Sequence, residues 1–222
     1  MDVTQAVLAR RSIRAFSQEP VPKEKLEQIM GAALRAPSWG NTQPWGFAIV
    51  GGAALDRIRE ECVEMTRQGV PPRPEVAMPS SWNDAETSRY KALGRDLFEV
   101  LGIRREDAER RRAYYLDVAR LFGAPAAIYL HLAKGFNPYA LMDAGIVLQT
   151  IALLAVGQGL GTCYLAMSVI YPEVVRRHAE IPPDRVLVMG LGIGHPIPDH
   201  PANLFRSPRG KASEFVRWIG FE

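Results

Sequence analysis

The sequence predicts a single α+β or α/β domain built around a central sheet. Four short apolar runs have the length and composition of buried strands, at residues 47–50, 126–132, 162–167 and 186–194. Longer segments with helical periodicity separate these runs, and such alternation is typical of this fold class. At 222 residues, the chain fits one large domain better than two.

Three helices are predicted in the first third of the chain. Asp2 can cap a short helix at the start. The apolar residues of the second helix recur at i, i+3, i+4 and i+7, which predicts one core-facing side: Leu26, Ile29, Met30 and Ala33. The third helix follows the first strand, because Gly51 and Gly52 turn the chain and apolar residues then return at helical spacing.

Residues 69–82 form a proline-rich segment that interrupts this pattern. Four prolines exclude a regular helix or a central strand there: Pro71, Pro72, Pro74 and Pro79. Helices are then predicted over residues 84–122, with a break near Gly102. We expect residues 1–222 to form one domain with an excursion or lid at about residues 69–115.

The segment from Ala144 to Val156 is apolar throughout and is predicted to be helical. Its roughly 13 residues fall short of the roughly 20 needed to span a bilayer. A helix buried inside a large core, or between two subunits, is therefore the interpretation we favour. The chain ends with further apolar residues up to Ile219, which we expect to pack on a second copy.

Composition and charge exclude several classes of function. The net charge of +3 comes from interspersed basic and acidic residues, which is too mild to indicate nucleic-acid binding. Cys62 and Cys163 are the two cysteines, and they suggest neither a disulfide framework nor a metal site. The N-terminus lacks an apolar secretory core, so we expect a cytoplasmic protein without a membrane anchor.

A polar loop at Pro37–Trp45, here called the tryptophan loop, is the first candidate for ligand binding. It offers donors and acceptors from its hydroxyl and amide side chains, and it carries two indole rings: Ser38, Trp39, Asn41, Thr42, Gln43 and Trp45. These groups suit a flat ligand with polar edges. A surface loop with turn chemistry and two half-buried tryptophans is the alternative.

Arginines make the second candidate site. The segment Arg10–Arg14, here called the arginine segment, places three guanidinium groups and the Ser12 hydroxyl together. Guanidinium forks bind phosphate bidentately, so an anion site competes with a solvated basic face. Five further arginines in the later helices are interpreted mostly as a solvated face: Arg104, Arg105, Arg110, Arg111 and Arg112. Arg120, beside the second strand, is better placed for a ligand.

Several blocks, taken in order, resemble one family. They are RRSIRAF at residue 10, RAPSWGNTQPWGFAIV at 35, LMDAGIVLQTIALLAVGQGLGTCYLA at 141, GLGIGHP at 190 and LFRSPRG at 204. Together they resemble the FMN-dependent nitroreductases, and the central segment is similar to the nitrobenzoate-reductase branch. The resemblance implies an α+β fold with a mostly antiparallel central sheet flanked by helices. It also implies an intertwined homodimer with FMN at the subunit interface.

The resemblance further implies which residues contact FMN. Phosphate and ribityl contacts would come from Arg10, Arg11, Ser12, Arg206 and Arg209. Arg14 would lie near the N1–O2 edge of the isoalloxazine ring, with Asp117 and Arg120 at its pyrimidine end. Main-chain groups of Tyr164, Leu165, Ala166 and Met167 would face N5. The partner subunit would contribute Pro37, Ser38, Trp39 and Asn41.

The function implied is two-electron reduction of a nitroaromatic or quinone, with NAD(P)H as the donor. Flavin N5 carries this chemistry, so no catalytic side chain is expected, and a small aromatic electron acceptor would follow the donor in ping-pong order. Reductive aromatic dehalogenation is one alternative, because Glu86, Tyr90 and Lys91 loosely resemble a deiodinase lid. A non-catalytic flavin-binding protein is another.

Overall fold

The computed structural model describes residues 1–221 and contains a four-stranded antiparallel sheet. Its strands are β1 (Trp45–Gly51), β2 (Ala126–Ala133), β3 (Gly161–Leu165) and β4 (Arg185–Gly194). They lie in the order β1-β2-β4-β3. The predicted α+β class with an antiparallel central sheet is therefore confirmed.

Helices cover both faces of this sheet. They are α1 (Val3–Ala9), α2 (Lys23–Ala33), α3 (Gly52–Arg67), α4 (Asp84–Val100), α5 (Ala108–Ala119), α6 (Pro138–Gly157), α7 (Pro172–Ala179), α8 (Pro201–Leu204) and α9 (Ala212–Phe215). Side chains cap several of them, as predicted for Asp2, which accepts a hydrogen bond from the Gln5 amide at 2.8 Å.

The alternation of side chains along β2 divides the core into two clusters. Tyr129 points to the face covered by α3 and α7, where it packs with Leu55 and Val174. Ile128 and Leu130 point to the opposite face, which α2 and α6 cover. Because successive strand residues face opposite sides, a strand buried on both faces must be apolar throughout. This explains the uninterrupted apolar run that predicted β2.

Helix α6 is longer than the sequence analysis predicted. It has 20 residues instead of roughly 13, because Asn137 caps it and Pro138 occupies its first turn. By length and composition it could cross a bilayer, so the length argument against a span was wrong. Its packing against α2, α1 and β3, with the Asp143 carboxylate buried, is nevertheless that of a core helix.

Strand β3 is shorter than predicted. Residues 162–167 were expected to be extended, but the strand ends at Leu165 and a 3₁₀ turn runs from Ala166 to Val169. The Ser168 hydroxyl donates to the Leu165 carbonyl at 2.7 Å and fixes this turn. Gly190 lies opposite on β4, where any side chain would collide with Ser168. The turn therefore depends on a tertiary contact.

The proline-rich segment contains no regular element, as its prolines predict. Glu75 fixes its middle to the body of the protein. This carboxylate accepts hydrogen bonds from the Arg176 guanidinium at 2.7 Å and from the Leu187 amide at 2.6 Å. The Arg73 amide, two residues earlier, donates to the Ile170 carbonyl at 2.9 Å.

We expect Glu75→Gln to lower the free energy of unfolding by about 1–2 kcal/mol, because charge-assisted hydrogen bonds are lost at a partly buried site. Limited proteolysis should then cut within residues 69–82 faster than in the wild-type protein. Chemical denaturation measures the first effect. Glu27→Gln is the matched control, since Glu27 makes only an exposed helix pair with Lys23 at 3.3 Å. Equal results for the two variants would contradict the anchoring role.

Candidate active site

The arginine segment is held against the edge of the sheet. Ser12 forms a parallel bridge with Thr162 on β3, and the Ile13 amide donates to the Thr162 carbonyl at 2.9 Å. The Ile13 side chain is buried against Gly161, whose missing Cβ leaves room for it. This pairing adds the segment beside β3 and positions its arginines at one end of the sheet.

Asn203 fixes the same segment from the other side, and sequence reasoning missed it. Its side chain is fully buried. The amide group donates to the carbonyls of Ala15 and Ile197 at 2.7 and 2.9 Å. Its Oδ1 accepts from the Arg14 amide at 2.7 Å, and its main-chain carbonyl accepts from Arg11 Nε at 2.5 Å. Nothing in the single sequence marks this asparagine.

A cavity of about 450 Å³, here called the arginine cavity, opens where these elements meet. Five guanidinium groups line it, from Arg10, Arg11, Arg14, Arg206 and Arg209. Ser12, Ser207 and Gln149 add neutral polar groups, and the lining contains no carboxylate. The structure thus brings together the residues predicted to bind phosphate from both ends of the chain. Gln149, on α6, was not predicted.

Within residues 1–221, no carboxylate forms an ion pair with the five guanidinium groups of this cavity. Arg206 donates only weakly to the carbonyls of Leu8 and Ala9, at 3.4 and 3.5 Å. Burial, with a smaller contribution from the charge of Arg206, lowers the pKa of Arg11. Clustered cations without carboxylates are stabilised by an anion that accepts several charge-assisted hydrogen bonds. A phosphate group fits this donor set.

Arg14 connects the arginine cavity with two others. One, of about 720 Å³ and here called the α4–α5 cavity, lies between α4 and α5. The other, of about 380 Å³, is lined by Asp117 and Tyr114. Burial raises the pKa of the Tyr114 phenol, and the charge of Arg14 opposes that shift. Arg14 therefore stands at the junction of the three cavities.

Asp117 and Arg120, two residues predicted to contact the flavin, line different cavities. They form an ion pair at 3.0 Å, so the Asp117 carboxylate has a partner. Asp117 lines a cavity with Arg14, whereas Arg120 lies with Arg59 and Glu60 on the far side of α5. The structure brings Asp117 towards the candidate site and leaves Arg120 away from it.

The end of β3 is linked to the arginine cavity indirectly, through a hydrogen bond to Gln149, one of the residues that line it. The Tyr164 hydroxyl donates to Gln149 Oε1 at 3.1 Å, and burial raises the pKa of this phenol to about 12. Leu165 is buried, whereas the Met167 side chain is exposed. Ala166 and Met167 open the 3₁₀ turn, so their N–H groups lack acceptors within the turn.

The tryptophan loop does not reach the arginine cavity of its own chain. Trp39 lines a separate cavity with Tyr139 and Asp143, and its amide donates to Asp143 Oδ1 at 3.1 Å. The arginine cavity is lined by none of the four loop residues predicted to contact FMN: Pro37, Ser38, Trp39 and Asn41. The Trp39 ring is 63% exposed, whereas Trp45 is buried in β1. Only one of the two tryptophans is therefore available to a ligand.

Comparison with known proteins decides the family. A model of the nitroreductase family matches residues 7–195, which is most of the chain. This protein belongs to the nitroreductase family. The resemblance stated from the sequence blocks is therefore confirmed.

Solved nitroreductase structures share the fold over its full length. The FMN- and NADPH-dependent nitroreductase NfnB from Sphigopyxis sp. strain HMH is 34% identical, with a TM-score of 0.93 and complete coverage of both chains. The FMN-dependent nitroreductase NfnB from Mycobacterium smegmatis, in complex with NADPH, is 29% identical with a TM-score of 0.92, covering 98% of this chain and all of that one. Nitrobenzene nitroreductase from Ectopseudomonas oleovorans is 30% identical over 95% of this chain and 93% of its own length.

Proposed function

We propose that this nitroreductase binds FMN and uses NAD(P)H to reduce nitroaromatics or quinones in ping-pong order. The observation that carries the proposal is the arginine cavity, which presents five guanidinium groups and no carboxylate. Relatives that are named as FMN- and NADPH-dependent nitroreductases support the same cofactor and donor. Bound flavin supplies the two-electron chemistry, and the protein supplies binding, orientation and charge.

Each part of the cavity has a proposed role. Arg10, Arg11, Ser12, Arg206 and Arg209 hold the phosphate and the ribityl chain. Arg14 would lie near the N1–O2 edge, where its charge would favour a negatively charged ring. The main chain of Tyr164–Met167 would face N5, and the N–H groups at the start of the 3₁₀ turn would be the donors there. Asp117 approaches the pyrimidine end as half of an ion pair.

A homodimer completes the site in this proposal. Apolar side chains are exposed on α1, on α6 and along the tail: Val3, Val7, Leu8, Leu141, Met142, Ile146, Phe215, Trp218, Ile219 and Phe221. Exposed apolar surface on this scale is typical of a protein interface. Because the tryptophan loop lies outside its own arginine cavity, the loop of one copy closes the cavity of the other. We also propose a cytoplasmic, single-domain protein whose residues 69–115 form a lid.

Reductive dehalogenation receives no support from the lid residues. Glu86 is the N3 residue of the α4 capping box, where its carboxylate accepts a hydrogen bond from the Asn83 amide at 3.0 Å. That carboxylate is therefore engaged with the helix terminus. The acidic member of the deiodinase-like set thus has a structural role in the helix cap, and nitroreduction remains the proposed reaction.

Anaerobic spectroscopy of the purified protein tests the proposal. We expect a yellow protein that NADPH or NADH bleaches and that a nitroaromatic then re-oxidises, since the two half-reactions are separate. Repeating the second step with a quinone compares the two acceptor classes. A colourless protein that does not bind added FMN would contradict the flavin assignment. A yellow protein that neither nicotinamide bleaches would instead indicate a non-catalytic flavin-binding protein.

A further inference from the structure

The α4–α5 cavity has walls suited to an aromatic ligand. Four aromatic rings line it, from Tyr90, Phe98, Tyr114 and Tyr115. Phe98 and Tyr114 are packed edge to face, with ring centroids 5.1 Å apart, which gives the cavity a fixed aromatic wall. Its volume of about 720 Å³ lies within the usual range for small-molecule sites.

Most of the positive charge in the same cavity has no partner carboxylate among residues 1–221. Five cationic side chains line it, and no carboxylate does: Arg14, Lys91, Arg95, Arg105 and Arg111. Arg95 pairs with Asp96 at 2.8 Å. The other four form no ion pair with any carboxylate of residues 1–221. The Arg111 guanidinium instead lies over the Phe98 ring, 4.5 Å from its centroid.

The position of the cavity links it to the proposed flavin site. Arg14 and Leu93 line both the α4–α5 cavity and the arginine cavity. The flavin phosphate is already accounted for by the arginine cavity. With Arg14 assigned to the flavin ring and Arg95 paired with Asp96, three cations of the α4–α5 cavity are available to a second anion on a molecule that lies beside the flavin: Lys91, Arg105 and Arg111.

Resting on the proposed function, we propose that the α4–α5 cavity selects aromatic substrates that carry a negative charge. The charge is either a carboxylate on the electron acceptor or the ribose phosphate of NADPH. Arg111, Arg105 and Lys91 recognise it, because a guanidinium fork pairs with either oxyanion bidentately. The aromatic walls hold the ring system that bears the charge. Arg111 was assigned mostly to a solvated face from the sequence, whereas in the structure it is half-buried and lies over the Phe98 ring. Arg105 is exposed, as that assignment expects, at the rim of the same cavity.

Two electron acceptors of similar shape, one anionic and one neutral, test whether the recognised charge is a carboxylate on the acceptor. We expect the wild-type protein to reduce 4-nitrobenzoate with a higher kcat/KM than 4-nitrobenzamide, and we expect added salt to narrow the difference. Arg111→Gln should lower the acid-to-amide ratio about tenfold, the effect of losing one charge-assisted hydrogen bond. Arg112→Gln is the matched control, because the neighbouring Arg112 is exposed and does not line the cavity. Its ratio should equal that of the wild-type protein.

The two nicotinamide donors, NADPH and NADH, test whether the recognised charge is the ribose phosphate of NADPH. With 4-nitrobenzamide as the acceptor, the NADPH-to-NADH ratio of kcat/KM is measured for the same three proteins. A fall of about tenfold for Arg111→Gln alone would assign the anion to the donor phosphate. Selective loss of the acid-to-amide ratio assigns it to the acceptor. The inference is overturned if Arg111→Gln changes neither the acid-to-amide ratio nor the NADPH-to-NADH ratio. It is also overturned if Arg112→Gln changes these ratios as much as Arg111→Gln does.

A direct binding measurement distinguishes the case in which this inference is wrong from the case in which the proposed function is wrong. Titration calorimetry with benzoate and benzamide, at low salt and on protein incubated with FMN, requires no turnover. Tighter binding of benzoate, weakened by Arg111→Gln and retained in Arg112→Gln, supports the inference even if no nitroaromatic is reduced. Reduction of neutral nitroaromatics, without any preference for anions in binding or turnover, would overturn the inference and leave the proposed function intact.

Discussion

Replacing Arg10 and Arg206 together with Ala is expected to give a folded protein that no longer retains FMN. Both guanidinium groups line the arginine cavity, and neither is buried, so the fold should tolerate their loss. Removal of two charge-assisted phosphate contacts should raise the Kd for FMN on the order of a thousandfold. Flavin absorbance after purification and fluorescence titration with FMN measure the effect.

The matched control for this prediction is a double variant of two arginines outside the cavity. Arg57 and Arg112 are exposed and do not line it, so Arg57→Ala/Arg112→Ala should remain yellow. The control changes the net charge of the protein by the same amount. If the cavity variant retained as much flavin as this control, the phosphate assignment would be wrong.

Asn203→Ala is expected to have the largest effect on stability. The substitution removes three hydrogen bonds of the Asn203 side chain. The Arg14 amide is left without a partner among residues 1–221, whereas the carbonyls of Ala15 and Ile197 each keep one main-chain donor, from Ile197 and His200 respectively. A buried amide that loses its only partner costs about 1–3 kcal/mol, and each of the two other lost hydrogen bonds costs about 0.5–1.5 kcal/mol, so we expect a total loss of about 3–5 kcal/mol. Chemical denaturation measures this loss directly.

The same variant should also weaken FMN binding, because Asn203 fixes the main chain of the arginine segment. Asn137→Ala provides the comparison. It removes the N-cap contact to the Ala140 amide at 3.2 Å, which should cost about 1 kcal/mol without affecting FMN. A stable Asn203→Ala protein with wild-type affinity for FMN would show that the segment is positioned by its bridge to β3 alone.

Local sequence pattern predicted most of the strands and helices but left α+β and α/β open, and the antiparallel sheet came from the resemblance to a family. Buried strands such as β2 are covered on both faces, so their apolar runs stand out from the amphipathic helices between them. The start of α6 was missed although Asn137 and Pro138 mark it, because the uninterrupted apolar run begins only after Asp143. The end of β3 could not be found in this way, since the contact between Ser168 and Leu165 and the space over Gly190 appear only in the folded sheet.

The candidate site was predicted in part. Arg10 and Arg206 lie at opposite ends of the sequence, and the resemblance to a family connected them before the structure did. Asn203 carries no such signal, because its role depends on three partners from distant segments. Arg111 was misjudged because a basic residue on a helix is usually solvated, and only the packing of α4 against α5 shows the cavity that it lines.

Flavin content of a mixed dimer tests most directly the claim that two copies jointly enclose FMN. One copy carries Arg10→Ala/Arg206→Ala, the other carries Trp39→Ala/Asn41→Ala, and different affinity tags isolate the mixed species. If each site combines the arginines of one copy with the tryptophan loop of the other, one intact site remains. The account predicts about half the flavin of the wild-type dimer, with little in either variant homodimer. A mixed dimer as empty as both homodimers, or a wild-type protein that is monomeric by ultracentrifugation, would contradict it.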